Sequence, residues 1–363
     1  MLNVTLGMRL PLLADAGTPL MWATLFHLVI GNFFIGILEA LIVRAFFKVK
    51  GRSLFVRLIV ANYASSIAGM VLISVGSDQL TRWVGGPLPV YHVYRILIAL
   101  ALLSFLVTIL VEWPFYWLAF APQAARWKRS LDATLVANAA SYFLLVAWYW
   151  LASATPVGWG VRLVRPQEMS PNPYARVLYI TPQGGDVFQL RLDGSAPRKF
   201  ISLSKPSPEG VLGFSRQEKN GQWRLELQSE FDQPPTFVAD VGPCQATTRD
   251  AGNYGWFFPW PASDLQNETS PKWTVRAGFE AREGISALNN RTGDWHFIMA
   301  VEAPWMTWLV RSATVLPNDQ LIFQLDDQII WVDLSRNIAA AVAAGHGPVV
   351  VLDKGALTPS TAP

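Results

Sequence analysis

The sequence predicts a membrane α-helical bundle of four transmembrane helices, built as a duplicated two-helix hairpin, plus a C-terminal mainly-β domain that is a small propeller or a sandwich. Three observations predict it. Long apolar windows fill the first 155 residues and none follows. Two of the windows open on nearly the same six letters, VANYAS at 60–65 and VANAAS at 136–141. Beyond residue 175 the pattern shortens into alternating runs separated by Gly, Asp and Asn, as strands joined by tight turns require.

The windows lie at 20–44, 55–77, 93–120 and 131–153, each at or above the ~20 residues that cross a hydrocarbon layer. The chain of 363 residues is 52% hydrophobic and 15% charged, far from a soluble average. Its net charge of +3 is unevenly placed: residues 1–154 carry 11 Lys/Arg against 5 Asp/Glu, and residues 155–363 carry 18 against 21. The basic excess therefore belongs to the loops of the helical half and does not call for a nucleic-acid partner. Arg44, Lys48, Lys50, Arg52 and Arg57 surround the first connection, and Arg126, Lys128 and Arg129 the third. The longer second connection has Arg82 and Arg95. The positive-inside bias makes connections one and three cytoplasmic, so the N-terminus and the β domain are expected outside, periplasmic or extracellular. Trp22, Trp148, Tyr149 and Trp150 suit an outer aromatic belt. Span one is read as retained, because only Arg9 precedes it and no small-residue cleavage site separates it from a globular region.

Each hairpin carries a glutamate, a cationic turn and then Val-Ala-Asn-x-Ala-Ser: Glu39 before Asn62, Glu112 before Asn138. At 1.5 Å per residue, Glu39 and Asn62 lie on the order of 7–8 Å inside the basic ring. Both hairpins run in the same sense, so an axis relating them stands along the membrane normal, a parallel repeat. Polar residues share a helix face in every span: Asn32, Gly36 and Glu39; Asn62, Ser66 and Gly69; Ser104, Thr108 and Glu112; Asn138 and Ser141. Exposing those faces to lipid is costly, so they should turn toward one another. Gly36, Gly69, Ala137 and Ala140 would let the helices approach.

A carboxylate in hydrocarbon needs donors or a proton, and an asparagine amide offers two donors without charge. The expected intramembrane layer is therefore Glu39, Asn62, Ser66, Glu112, Asn138 and Ser141. Pro114 adds to it by leaving the Leu110 carbonyl without its helical donor. Two readings stay open: an ion or proton path or headgroup pocket, and a hydrogen-bonded clamp that fixes helix register. His27 is out of register with Glu39 and reads as an interfacial or packing residue.

After a Pro/Gly-punctuated linker at 155–175, the β domain is expected over 176–353, with a disordered tail at 354–363. RVLYI and VFQLRL flank a Gly-Gly-Asp turn, LIFQL and QIIWVDL flank Asp326-Asp327, and a third hairpin turns at Asn220-Gly221. SRNIAAAVAA at 335–344 is the one short helical candidate. The segment 176–194, strand, Gly-Gly-Asp turn, strand and Asp-Gly, resembles a blade hairpin of the TolB or quinoprotein β-propellers, with a second copy near 321–334. About 190 residues would make at most four or five such blades; a β-sandwich fits nearly as well, and no functional residue of those families carries over.

No nucleophile elbow, zincin helix, phosphate loop or Cys/His cluster is present in the sequence, so neither cofactor nor metal is implied and an enzyme is the less favoured class. His296 and His346 are isolated. Asp326, Asp327 and Asp333 fit turn chemistry. The single Cys244 forms no internal disulfide. YGWFFPWP at 254–261 reads as an aromatic loop, with Tyr254, Trp256, Phe257, Phe258 and Trp260 available to a partner, a glycan or the bilayer surface. The expected function is a membrane-embedded binding, assembly or sensory module whose outer β domain engages an envelope protein or glycan. The alternative is a proton- or ion-coupled conduit through Glu39 and Glu112, which with four spans needs a homo-oligomer. A lipid- or envelope-modifying enzyme ranks third.

Overall fold

Apolar length and terminal residues set the helices. The computed structural model describes residues 19–121, 125–153, 161–169, 175–192, 195, 197–207, 210–216, 223–228, 234–242, 245–246, 272–278, 284–303, 306–316 and 318–352. The chain divides into two compact units, one of residues 1–154 with 302–307 and one of 155–301 with 308–363. In the first, α1 (Pro19–Phe26) passes through a π turn (His27–Gly31) into α2 (Asn32–Phe47); α3 (Arg52–Gly85), α4 (Val93–Ala119) and α5 (Arg126–Ala152) follow. Among the described residues, four stretches are long and apolar enough to cross a membrane: Leu20–Phe47, Arg52–Leu72, Pro89–Ala119 and Arg126–Ala152. Lys48 ends α2 in a left-handed conformation at φ 57°, and Gly51 at φ 131° takes the sharp entry to α3, a backbone position that favours glycine.

The helices pack in a ring, α2 on α3, α3 on α4, α4 on α5 and α5 back on α2. Ala40, Val43, Leu54, Leu58, Tyr116, Phe120, Ala133 and Ala137 form one core at the end carrying the basic turns. Polarity is otherwise inverted. Asn32, Glu39, Asn62, Ser65, Glu112, Ser130, Thr134, Asn138 and Ser141 are buried, while Phe34, Phe46, Val56, Val71, Leu106, Leu110 and Phe143 are exposed. Such a surface suits hydrocarbon, where every buried polar group must be satisfied from within. Glycine does two different things here. A Cβ on Gly36 would lie 2.6 Å from Ile59 Cα, so α2 and α3 meet backbone to backbone, whereas nothing lies within 4 Å of one on Gly69. The expectation that Gly69 marks a close approach is therefore corrected: that side of α3 faces open space.

The second unit is mainly β with several small sheets. Its strands are β1 (Arg162–Leu163), β2 (Ala175–Ile180), β3 (Asp186–Arg191), β4 (Arg198–Ser202), β5 (Val211–Arg216), β6 (Trp223–Gln228), β7 (Thr236–Gly242), β8 (Gln245–Ala246) and β9 (Trp273–Gly278). They continue as β10 (Gly284–Asn289), β11 (Trp295–Met299), β14 (Val310–Leu316), β15 (Gln320–Leu325), β16 (Gln328–Asp333), β17 (Ile338–Ala344) and β18 (His346–Leu352), while β12 (Val301–Ala303) and β13 (Met306–Trp308) fall mostly in the 302–307 segment grouped with the helices. The sheet orders are β4-β3-β2-β18-β8, β5-β6-β7, β9-β10-β11, β12-β13 and β14-β15-β16-β17-β1. β2 pairs with β3 through Ile180 and Val187, and β15 with β16 through Leu325 and Gln328 across Asp326-Asp327.

Side-chain alternation gives the β2 sheet two cores. Val177, Tyr179, Leu190 and Val350 point to Ile322, Ile329, Trp331 and Ala340. Leu178, Ile180, Val187, Val349 and Val351 point to Leu212, Leu225 and Leu227. The sheet is therefore covered on both faces. The helical expectation at 335–344 is overturned: Ile338–Ala344 is β17, antiparallel to β16 and parallel to β1. Alanine favours helix in isolation, but here its small side chains are buried on both faces between strands, and tertiary packing decides. The expected linker also contributes structure, since Arg162 and Leu163 of β1 pair with Ile338 and Ala339. Tyr254, Trp256, Phe257, Phe258, Trp260, Cys244 and the Asn220-Gly221 turn lie outside the described residues.

Candidate intramembrane polar site

Helical spacing delivers the polar side chains to one layer, and hydrogen bonds join them in a reciprocal pattern. Within hairpin one, Asn62 Nδ2 donates to Glu39 Oε2 at 2.8 Å. Within hairpin two, Asn138 Nδ2 donates to Glu112 Oε2 at 3.0 Å. Each amide gives its other N–H to its own helix, Asn62 to the Leu58 carbonyl and Asn138 to that of Thr134, both at 3.0 Å. The serines then cross over. Ser65 Oγ of α3 reaches Glu112 Oε1 of α4 at 2.7 Å, and Ser141 Oγ of α5 reaches Glu39 Oε1 of α2 at 2.9 Å. Both hydroxyls also lie near the carbonyl three residues earlier, Asn62 O at 3.0 Å and Asn138 O at 3.1 Å. One donor breaks the symmetry: Tyr116 OH, one turn after Glu112, donates to Glu39 Oε2 at 3.0 Å. Both carboxyls have 0% exposure.

Five of the residues anticipated from the sequence, Glu39, Asn62, Glu112, Asn138 and Ser141, thus meet in one network. Ser66 does not join it; its hydroxyl donates to Asn32 Oδ1 at 3.0 Å. Ser65 and Tyr116 were missed. The signal for Ser65 was in the repeat, because Ser141 is the sixth letter of VANAAS and Ser65 the sixth of VANYAS. Tyr116 was visible as the i+4 neighbour of Glu112 on the same face. Around the layer, Thr108 Oγ1 and Tyr142 OH lie 2.8 Å apart, and Trp113 Nε1 donates to Ser130 Oγ at 3.1 Å. His27 sits at the π turn with Nδ1 2.6 Å from Tyr149 OH.

The basic end repeats the exchange. Arg57 of α3 donates to the Leu118 carbonyl near the end of α4 at 2.6 Å, and Arg129 of α5 to the Phe47 carbonyl ending α2 at 3.2 Å. Cations at helix C-termini satisfy orphan carbonyls and oppose the dipole. Between them the Phe47 and Phe120 rings, each ending its span, meet edge to face at 6.1 Å.

In the β unit the polar residues serve turns. Asp333 Oδ1 accepts from Ser335 Oγ at 2.6 Å and from the Arg336 amide at 3.0 Å. Gln324 donates to the Asp326 carbonyl at 2.7 Å, accepts the Gly347 amide at 2.8 Å and lies 3.3 Å from His346 Nδ1. The His296 and Trp273 rings meet at a tilt of 37° with centroids 5.2 Å apart. The Lys199 ammonium and the Ser202 hydroxyl hold the Asp186 carboxyl below the usual carboxylate range. Among the described residues no cluster of three or more His, Cys, Asp or Glu could hold a metal ion. Fold and site together describe a helical unit with a buried acid–amide layer, joined to a mainly-β unit. Compared with models of known protein families and with curated proteins, the chain matches none.

Proposed function

We propose that the protein is a polytopic membrane anchor whose duplicated hairpins are locked by the Glu/Asn/Ser layer, and whose β unit engages an envelope protein or glycan outside the cytoplasm. The observation that carries this reading is the reciprocal network: each buried carboxyl takes donors from both hairpins. Satisfied networks of this kind rigidify and specify a packing, which is what an anchor needs. Duplication is supported by the crosswise serines, the crosswise arginines and the self-pairing of Phe47 with Phe120. A propeller-like β unit is favoured over a sandwich by the two-faced burial of the β2 sheet and by β18 closing on β2, the first strand of that sheet. Pairing with β18 puts β2 inside the sheet, whose edges are β4 and β8.

The exposed Phe237 and Trp295, each with an arginine over its ring, give the β unit amphipathic contact points. A photo-crosslinking residue at either position of the full chain, activated in intact cells, should yield a discrete adduct with an envelope protein or glycan. Lipid adducts alone, or none at both positions, would remove the binding role. The conduit reading rests on two ionisable groups buried in the membrane-crossing helices. Reconstituted in sealed liposomes, the protein should leave proton flux at the level of empty vesicles. Flux that disappears on Glu39→Gln or Glu112→Gln would replace the anchor by a conduit.

A further inference from the structure

We propose that the polar layer binds a single proton, held on Glu112 Oε1 and donated to Ser65 Oγ, while Glu39 carries the negative charge. The inference rests on the reading that the bundle is membrane-embedded, and it goes beyond the anchor role by assigning a ligand to the site.

The argument starts from what faces the two carboxyls. From α2 comes Glu39 itself; from α3, Asn62 and Ser65; from α4, Glu112 and Tyr116; from α5, Asn138 and Ser141, with Tyr142 beside them. Among the described residues no Lys, Arg or His contacts either carboxyl. Two bare carboxylates without a cation would each bear a desolvation cost of several kcal/mol and would repel one another. A buried carboxyl with no cation beside it takes up a proton in place of bearing the bare charge, and uptake by one member of the pair relieves both costs.

Donor count then says which one takes it. Glu39 receives three donors, Asn62, Tyr116 and Ser141, the set that stabilises an anion. Glu112 receives Asn138 and faces Ser65. The Ser65 hydroxyl has one hydrogen and two oxygen neighbours, Glu112 Oε1 at 2.7 Å and the Asn62 carbonyl at 3.0 Å. With Glu112 ionised, one of those contacts sets oxygen against oxygen with no hydrogen between. With a proton on Oε1 both are hydrogen bonds: Glu112 Oε1–H to Ser65 Oγ, and Ser65 Oγ–H to the Asn62 carbonyl. The 2.7 Å separation is the ordinary O–H···O length. Ser141 has the same pair of oxygen neighbours at 2.9 and 3.1 Å, so the serines alone do not separate the two carboxyls; Tyr116 does, by supplying Glu39 with a donor that Glu112 lacks.

Infrared spectroscopy of the full chain in lipid nanodiscs, at a pH where surface carboxyls are ionised, tests this directly. The wild-type minus Glu112→Gln difference should contain one carboxylic-acid carbonyl band that shifts down in heavy water. The wild-type minus Glu39→Gln difference should contain none. Absence of the band in the first difference, or its presence in the second, overturns the assignment. Should Glu112→Gln fail to fold, Ser65→Ala decides: loss of the acceptor should move the acid band upward, and an unmoved or absent band refutes the proposal. An acid band together with proton flux would sink the anchor reading and leave the proton site standing; neither band nor flux would do the reverse.

Discussion

At the scale of single residues, the bundle depends on where two amides point. Replacing Asn62 by Leu removes one of two donors to Glu39 Oε2, with Tyr116 remaining, and Asn138→Leu removes the donor to Glu112 Oε2. Leaving a buried acceptor short of a partner costs about 1–3 kcal/mol, so each variant should melt earlier in detergent. The double variant is expected to depart from additivity, because both amides belong to one connected network; additive, wild-type-like melting would show that the layer carries no stability. The sequence made Glu39, Asn62, Glu112 and Asn138 legible through repetition and depth alone. It put Ser66 in the layer in place of Ser65, because adjacent residues differ by about 100° around a helix and the face that wins depends on the neighbour across the interface. Only the crossing of α3 over α4 assigns Ser65 to Glu112 and leaves Ser66 to Asn32.

At the scale of elements, the two glycines separate packing from propensity. Gly36→Ala places a methyl 2.6 Å from Ile59 Cα. Backbone must give way, at a cost on the order of 1–3 kcal/mol for overpacking. Gly69→Ala meets nothing within 4 Å and should stabilise α3 by roughly 0.5–1 kcal/mol, the ordinary helix gain of alanine over glycine. Opposite shifts in thermal unfolding are therefore expected from the same substitution, and equal shifts would refute the close approach of α2 and α3. In the β unit, Asp186 of β3 sits opposite Ser202 of β4 and bonds Lys199. Its folded value lies below its unfolded one, so the contact is fully present above the unfolded value near ~3.9 and fades as pH falls through the folded value. Asp186→Asn should accordingly flatten the acid-side fall in melting temperature and leave neutral pH nearly unchanged. Hairpins were legible where Gly-Gly or Asp-Asp marked a turn. Ile338–Ala344 was not, because an alanine run carries no strand signal until β16 and β1 bracket it.

For the whole molecule, the number of crossings and the placement of charge make one joint prediction about sidedness. The four stretches long enough to cross were readable from composition, since apolar length is a local property. The pairing of β18 with β2 was not, because it joins the two ends of a unit and leaves no local trace. In the proposed topology all four stretches cross, and an even number of crossings then assigns the β unit and the turn at Gly86 to one side and Lys50 and Lys128 to the other. The arginines that reach the C-terminal carbonyls of α4 and α2 belong to the same basic turns that the positive-inside bias assigns to the cytoplasm in the proposed topology. Single cysteines at Lys50, Lys128, Gly86 and Trp295, introduced with Cys244 replaced by Ser, can be labelled in intact cells with a membrane-impermeant maleimide. Gly86→Cys and Trp295→Cys should label from outside, and Lys50→Cys and Lys128→Cys only after lysis. Labelling of Lys50→Cys and Trp295→Cys from the same side would mean an even number of crossings between them, and with it one of α3, α4 or α5 would no longer span. The reciprocal Glu/Asn/Ser exchange would then lose the parallel hairpins on which it depends.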